Sequence, residues 1–321
     1  MMKVKVIRNG KAENITEFAG DIMWSDNVDS LGMEFSFSRP HSFFDEQFKD
    51  RFSAGDTVVL SDGGEEILRG IITEAPIGQD TYKGYDYAWY LNKSETVIQF
   101  KKIAASAAIK KLCDRYGVPI GKIASMNALV SKVYKDQTLS DIIRDILNHA
   151  TRETGKKYRM EMRKGKFYIE ESGIIKLKPT YIDETGKEVS CTKSAAISGT
   201  RSIEEMKNQV TVTGTGEDSM QIKATAKSSA SIKKYGLLTE VETGDNLTEA
   251  KARNIAKNRL KELNKVIVEF TATMIGNSEV RSDRMLYFDR PEVGIKGWYR
   301  VKSCTHTVSG GIHTMACEME G

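Results

Sequence analysis

The sequence predicts an α+β, mainly β fold in which two antiparallel β regions flank a mixed α/β insertion. Three observations carry this. Short period-two segments broken by turn chemistry fill residues 1–92 and 186–321, and stripes of helical period are strongest in residues 93–185. The composition, 40% hydrophobic and 29% charged with 26 Gly against 5 Pro, is that of a folded chain. The 321 residues allow about two or three domains.

Lys3 to Ile7 runs into Asn9-Gly10, Met33 to Ser38 into Pro40, and Thr57 to Leu60 into Asp62-Gly63-Gly64. The last of these pairs with Ile67 to Ile72 as a hairpin, and Tyr82 to Tyr90 reads as an aromatic strand. Closing so many short strands into a barrel would hide their edges. From Lys102 to Tyr116, Ile103, Ala107, Ala108, Lys111, Leu112 and Tyr116 form a helical stripe ended by Gly117 and Pro119. Leu139, Ile142, Ile143, Ile146, Leu147 and Ala150 form a stronger one, with Thr138 and Asp141 as its capping pair. Tyr158 to Met162 and Phe167 to Glu170 alternate around Lys164-Gly165 as a hairpin. After Ser194 to Thr200, strands are expected at 209–213, 221–226, 237–241, 266–274, 298–307 and 312–319. One helix interrupts them, with Asn246 and Glu249 as N-cap and N3 and a stripe of Ala252, Ile255, Ala256, Leu260 and Leu263. The domains expected are therefore 1–92, 93–185 and 186–321.

Forty-eight basic against 44 acidic residues leave +4, which does not argue for a nucleic-acid or membrane surface. No apolar run reaches the roughly 18 residues of a spanning helix, and Met1 to Val6 lacks a signal peptide's apolar stretch, so synthesis in the cytoplasm is expected. Cys113, Cys191, Cys304 and Cys317 are widely spaced without a CxxC and read as reduced thiols. The glycosylation patterns at Asn92 and Asn246 read as chance matches without a secretion signal.

The sequence has no GxGxxG, GxxxxGK[ST], HExxH, GxSxG or CxxC. Gly214-Thr215-Gly216 could cradle a phosphate, but Glu217 and Asp218 would repel it, so a turn is expected. The sharpest candidate is Cys304, His306, His313 and Cys317, whose side chains are the donors of a Cys2His2 zinc site. Counting outward from a Ser309-Gly310 turn sets His306 opposite His313. It leaves the two cysteines on one face but out of register, with distant sulfurs, so packing is the reading adopted. The pairs Glu65-Glu66, Glu170-Glu171 and Glu204-Glu205 read as solvated surface, as does the basic run Lys156 to Lys166 with Glu153 and Glu161. Tyr82, Tyr85, Tyr87, Trp89 and Tyr90 would serve either as a stacking platform or as core, with Tyr85, Tyr87 and Trp89 on one face by parity.

Several stretches then resemble one family. They are Gly55-Asp56-Thr57-Val58, Arg69-Gly70-Ile71-Ile72-Thr73-Glu74 and Tyr85-Asp86-Tyr87-Ala88-Trp89-Tyr90-Leu91-Asn92-Lys93. Ile109 to Cys113, Gly117 to Gly121, Asp141 to Leu147, Gly155 to Tyr158 and Gly165 to Glu170 continue the likeness. So do Glu205 to Val210, Lys234 to Gly236 and His306 to Met315. In order and extent they resemble the baseplate hub proteins of contractile phage tails, defective prophages and phage-tail-like bacteriocins, the PBSX-type or late control protein D group. The resemblance implies two tail-tube-like β-barrel domains per chain and a non-enzymatic homotrimer. Its pseudo-sixfold ring would join a hexameric tail tube to a trimeric spike, beside other baseplate or tape-measure proteins, in a particle released by lysis. It implies no catalytic, cofactor-binding or metal residue, no membrane and no sequence-specific nucleic acid. The competing reading is a cell-wall or carbohydrate-binding tail component resting on Tyr82 to Tyr90. One departure is the segment 279–297, where a simple Gly-containing hairpin is expected but Arg281, Arg284, Arg290 and Pro291 stand.

Overall fold

The computed structural model describes residues 2–42, 44, 52–78, 80–215, 220–245 and 247–321. The first β region holds β1 (Lys3–Arg8), β2 (Lys11–Asn14), β3 (Ile22–Asn27), β4 (Glu34–Ser38), β5 (Thr57–Asp62), β6 (Glu65–Glu74) and β7 (Thr81–Asp86). Asn9 and Gly10 turn β1 into β2 at φ 49° and 75°, the left-handed pair that a two-residue hairpin needs. The aromatic strand expected to reach Tyr90 stops at Asp86. There the Asp86 carboxyl accepts the Ala88 N–H at 2.9 Å, and the chain turns into α1 (Ala88–Lys93). Strand parity therefore does not extend to Tyr87 and Trp89.

The middle region contains β8 (Glu95–Ala104), α2 (Ala105–Arg115), β9 (Ile120–Ile123), β10 (Leu129–Thr138), α3 (Leu139–Thr154), β11 (Tyr158–Arg163) and β12 (Lys166–Glu171). Thr138 caps α3 by accepting the Asp141 N–H, and every residue of the expected stripe is buried. In α2 the buried face is Ala105, Ala108, Ile109, Leu112 and Cys113, whereas Ala107 and Lys111 are exposed. The expected stripe began too early because Lys102 to Ala104 finish β8. The helices, the β8–β10 pair and the sheet β11-β12-β9 enclose one core with Tyr134, Phe167 and Ile146 inside.

The short strands β13 (Lys176–Leu177), β14 (Thr180–Ile182) and β15 (Glu188–Ser190) lead to β16 (Ala196–Ser202), β17 (Gln209–Thr215) and β18 (Met220–Lys227). Then come α4 (Ser229–Tyr235), β19 (Thr239–Asp245), α5 (Glu249–Leu263), β20 (Ile267–Ile275), β21 (Met285–Arg290), β22 (Ile295–Ser309) and β23 (Ile312–Glu320). The one helix expected here is α5; α4 is a seven-residue addition. Thr248, not Asn246, caps α5 by accepting the Lys251 N–H, and Asn246 itself lies outside the described residues. Gly216, Glu217 and Asp218 of the glycine cluster also lie outside them.

The chain is mainly β with mostly antiparallel pairing, as expected, but among the described residues the two β regions are not separate closed barrels. Among the described residues β1–β7 join β13, β16 and β20–β23 in one 13-stranded sheet, ordered β16-β20-β23-β22-β3-β4-β7-β6-β5-β1-β2 with β21 and β13 attached beside β22, while β14–β15 and β18-β17-β19 form sheets of their own. The reason is the length of β22. Its first part pairs with β21 through Arg300, and after an irregularity between Val301 and Ser303 its second part pairs with β3, Ser303 opposite Asn27 and Val308 opposite Ile22. Each half keeps its own apolar core, one around Trp24, Phe35 and Phe37 and the other around Phe270, Phe288 and Cys304.

Candidate functional site

The Cys and His candidates lie where β22 meets β23. Gly310 and Gly311, at φ 56° and 80°, make the turn, so Ser309 pairs with Ile312 rather than starting the turn. That shift corrects the expected register. Cys304 is directly opposite Cys317, and their sulfurs are 3.1 Å apart instead of distant, whereas His306 is opposite Met315 and meets His313 diagonally. Both cysteines are fully buried, and burial pushes the Cys304 thiol well above its ordinary range. His306 Nε2 is 2.9 Å from the Val280 carbonyl, which can only accept, so Nε2 carries the proton and Nδ1 accepts from His313 Nε2–H at 3.0 Å. Burial, then the neighbouring His313, pushes the His306 pKa down to about 4. The ring stacks on Trp24 with centroids 4.6 Å apart.

These four side chains form a row: Cys317 touches Cys304, Cys304 lies 3.2 Å from His306 Nε2, and His313 contacts the opposite ring nitrogen. A tetrahedral ion needs its donors to converge on one point. Here the imidazole of His306 stands between the thiols and His313.

A second cluster was not legible in the sequence. Glu161 of β11, expected in a solvated hairpin, is buried and accepts two hydrogen bonds from Arg284, at 3.0 and 2.7 Å. Arg159 and Arg281 pair with the same carboxylate at 2.6 and 3.0 Å. Asp26 of β3 accepts from the Ser282 N–H and hydroxyl, and Asp283 accepts from Ser172 and the Gly173 N–H. Glu170, likewise expected at the surface, is buried. Burial alone would raise its pKa, but Arg159 and Arg163 hold it below the usual carboxylate value. The unexpected arginines of 279–297 are thereby explained. Arg281 and Arg284 fasten the middle region to the sheet, Arg290 donates to the Ala195 carbonyl at 2.6 Å, and Pro291 opens a single 3-10 turn between β21 and β22. A polar cleft of about 690 Å³ beside this junction is lined by Asp26, Arg159, Glu161, Arg259, Arg281 and Asp283, charges that already pair with protein partners.

The remaining candidates separate. Glu65 pairs with Lys164 at 2.6 Å, Glu66 with Arg69 at 2.7 Å, and Glu204 and Glu205 are exposed. Tyr82 is core, Tyr85 and Tyr87 are half-buried, and Trp89 meets the exposed Tyr90 edge-on at 5.2 Å. No helix among the described residues is long and apolar enough to cross a membrane.

A family model described as YQBQ-like matches residues 22–320. The uncharacterized protein YqbQ of Bacillus subtilis (strain 168) is 30% identical over 274 residues, 83% of this chain and 81% of that one. The phage-like element PBSX protein XkdQ of the same organism is 29% identical over 276 residues, 83% and 82% of the two chains. The 43 kDa tail protein of prophage MuSo2 from Shewanella oneidensis has the same fold, at TM-score 0.70, 11% identity and 99% and 98% coverage. The tail protein of Neisseria meningitidis MC58 gives 0.67, 13% identity, and 100% and 96%. A type VI secretion component of E. coli, described as structurally similar to the T4 bacteriophage tail proteins gp27 and gp5, gives 0.50 at 11% identity, covering 94% and 73%.

Proposed function

The chain belongs to the YQBQ-like family, and on that premise we propose that it is the baseplate hub of a phage tail or phage-tail-like contractile particle. The observation that carries this is a fold shared over nearly its full length with a prophage tail protein. The relative in the PBSX phage-like element supports the same reading. In this reading the chain is a structural, non-enzymatic component. Three copies form a ring that joins the hexameric tube to the trimeric spike, with tape-measure or other baseplate proteins as further partners. Units 1–92, 93–185 and 186–321 act as first β half, insert and second β half. The charged junction supports a fastening role, because its carboxylates are satisfied by arginines within the chain.

The test is assembly without this chain. Particles from a host lacking its gene are expected to show tubes that carry no spike in negative-stain electron microscopy. Tubes with spikes still attached would refute the joining role.

A second reading, carbohydrate or cell-wall binding, rests on the Trp89 and Tyr90 pair. It predicts quenching of tryptophan fluorescence by peptidoglycan fragments and loss of that response in Trp89→Ala.

A further inference from the structure

We propose that Cys304 and Cys317 are a site of reversible oxidation, closing to a disulfide across β22 and β23 when a low-molecular-weight disulfide is available as oxidant. The two residues are register partners in an antiparallel pair, with sulfurs at 3.1 Å. Opposed antiparallel residues have Cα atoms about 4.5 to 5.5 Å apart. That interval falls within the range of about 4.4 to 6.8 Å that disulfides span, so closure takes side-chain rotation and no shift of strand register. The row arrangement leaves Cys317 with Cys304 rather than with a histidine as its neighbour.

Of the other two thiols, Cys113 is an internal control and Cys191 is not. Cys113 lies in the separate core of the middle region, whereas Cys191 belongs to the same apolar cluster as the pair and is the one plausible competitor. In the reaction, one thiol is deprotonated and attacks the oxidant's disulfide, releasing one small thiolate and leaving a mixed disulfide. The second protein sulfur, giving up its proton, displaces the other small thiolate and completes the S–S bond. The released thiolates take up the two protons. Two protein thiols are oxidised by two electrons, and one small disulfide is reduced to two thiols. The bridge would pin β23 to β22 just beyond the irregularity where β22 passes from β21 to β3. This inference does not depend on the hub reading.

The full chain is unfolded in urea and refolded by dilution with oxidised and reduced glutathione, so that burial does not limit access. It is then alkylated under denaturing conditions, and its peptides are identified by mass spectrometry. The expected product links the Cys304 and Cys317 peptides, halves the thiol titre from the four free cysteines, and reverts with dithiothreitol. The oxidised protein is expected to have a higher urea midpoint, which falls on reduction. The Cys304→Ser and Cys317→Ser variants are each expected to lose the linked peptides. A refolded parent chain in which both cysteines remain alkylatable would overturn the proposal, as would a Cys191–Cys317 bridge as the main product.

Discussion

His306 and Asp86 are buried groups whose protonation pulls stability in opposite directions with pH. Folding holds the His306 pKa at about 4, against an ordinary value of 6.5, through burial and the neighbouring His313. Between those values the unfolded chain binds a proton that the folded chain does not, so stability is lost as pH falls from about 6.5 to about 4, by at most about 3 kcal/mol. Burial pushes Asp86 up to about 7, and its Oδ2 has no hydrogen-bond partner, as suits a neutral acid. There the folded state holds the extra proton, and stability falls as pH rises from about 4 to about 7. His306→Phe, which keeps a ring against Trp24, is expected to flatten the acid limb of the urea midpoint plotted against pH. Asp86→Asn is expected to remove the decline toward neutrality. An unchanged acid limb in His306→Phe would show that this residue titrates alike in both states. For the ion junction, Glu161→Gln leaves Arg159, Arg281 and Arg284 around a neutral amide and should cost about 3 to 5 kcal/mol in urea unfolding. Glu171→Gln, at a solvent-exposed pair with Lys156, should change little.

Among the elements, α3 is the one whose stripe and cap were both legible, because its stripe faces one core and its cap is local. Ile146→Ala should cost about 2 to 5 kcal/mol by leaving a cavity, and Thr138→Ala about 1 kcal/mol by losing the cap. An Ile146→Ala protein that melts with the parent would mean that the helix does not carry the middle core. The turn at Asn9-Gly10 and the hairpins at Gly63-Gly64 and Lys164-Gly165 were legible for a related reason, since each turn needs left-handed residues that the sequence supplies, but the all-exposed β2 was not expected. At the last turn, Ser309-Gly310-Gly311 admits two neighbouring placements, and the structure takes the one that was not expected. Placing the last turn at Ser309-Gly310 instead of Gly310-Gly311 moved Cys304 away from Cys317, because a one-residue slip re-pairs a whole strand. The β3–β22 pairing and the Glu161 cluster join residues far apart in the chain, and no local period marks such contacts. Arg281 and Arg284 were visible only as residues that a plain hairpin would not require.

At the scale of the whole molecule, the continuous ladder bears on how copies would meet. It ends at β16 and β2, each paired on one side only among the described residues, and β2 is exposed throughout. Unpaired edges are sites where another chain can add. Val97, Leu129 and Val133 also leave apolar surface exposed on the β8–β10 pair, and the sequence holds no heptad run for a coiled-coil trimer. In the proposed trimer two β halves per chain would give six, and six halves in a ring would face a sixfold tube while the chain itself obeys threefold symmetry. Joining the halves through β22 fixes their relative orientation within each chain, so the proposed ring would need only one kind of contact between copies. A cryo-electron microscopy reconstruction of the assembled particle should therefore show three copies and six β halves around an open channel, with contacts at the ladder ends or over the β8–β10 face. Any other copy number, or contacts confined to the polar cleft between α3 and α5, would sink this arrangement.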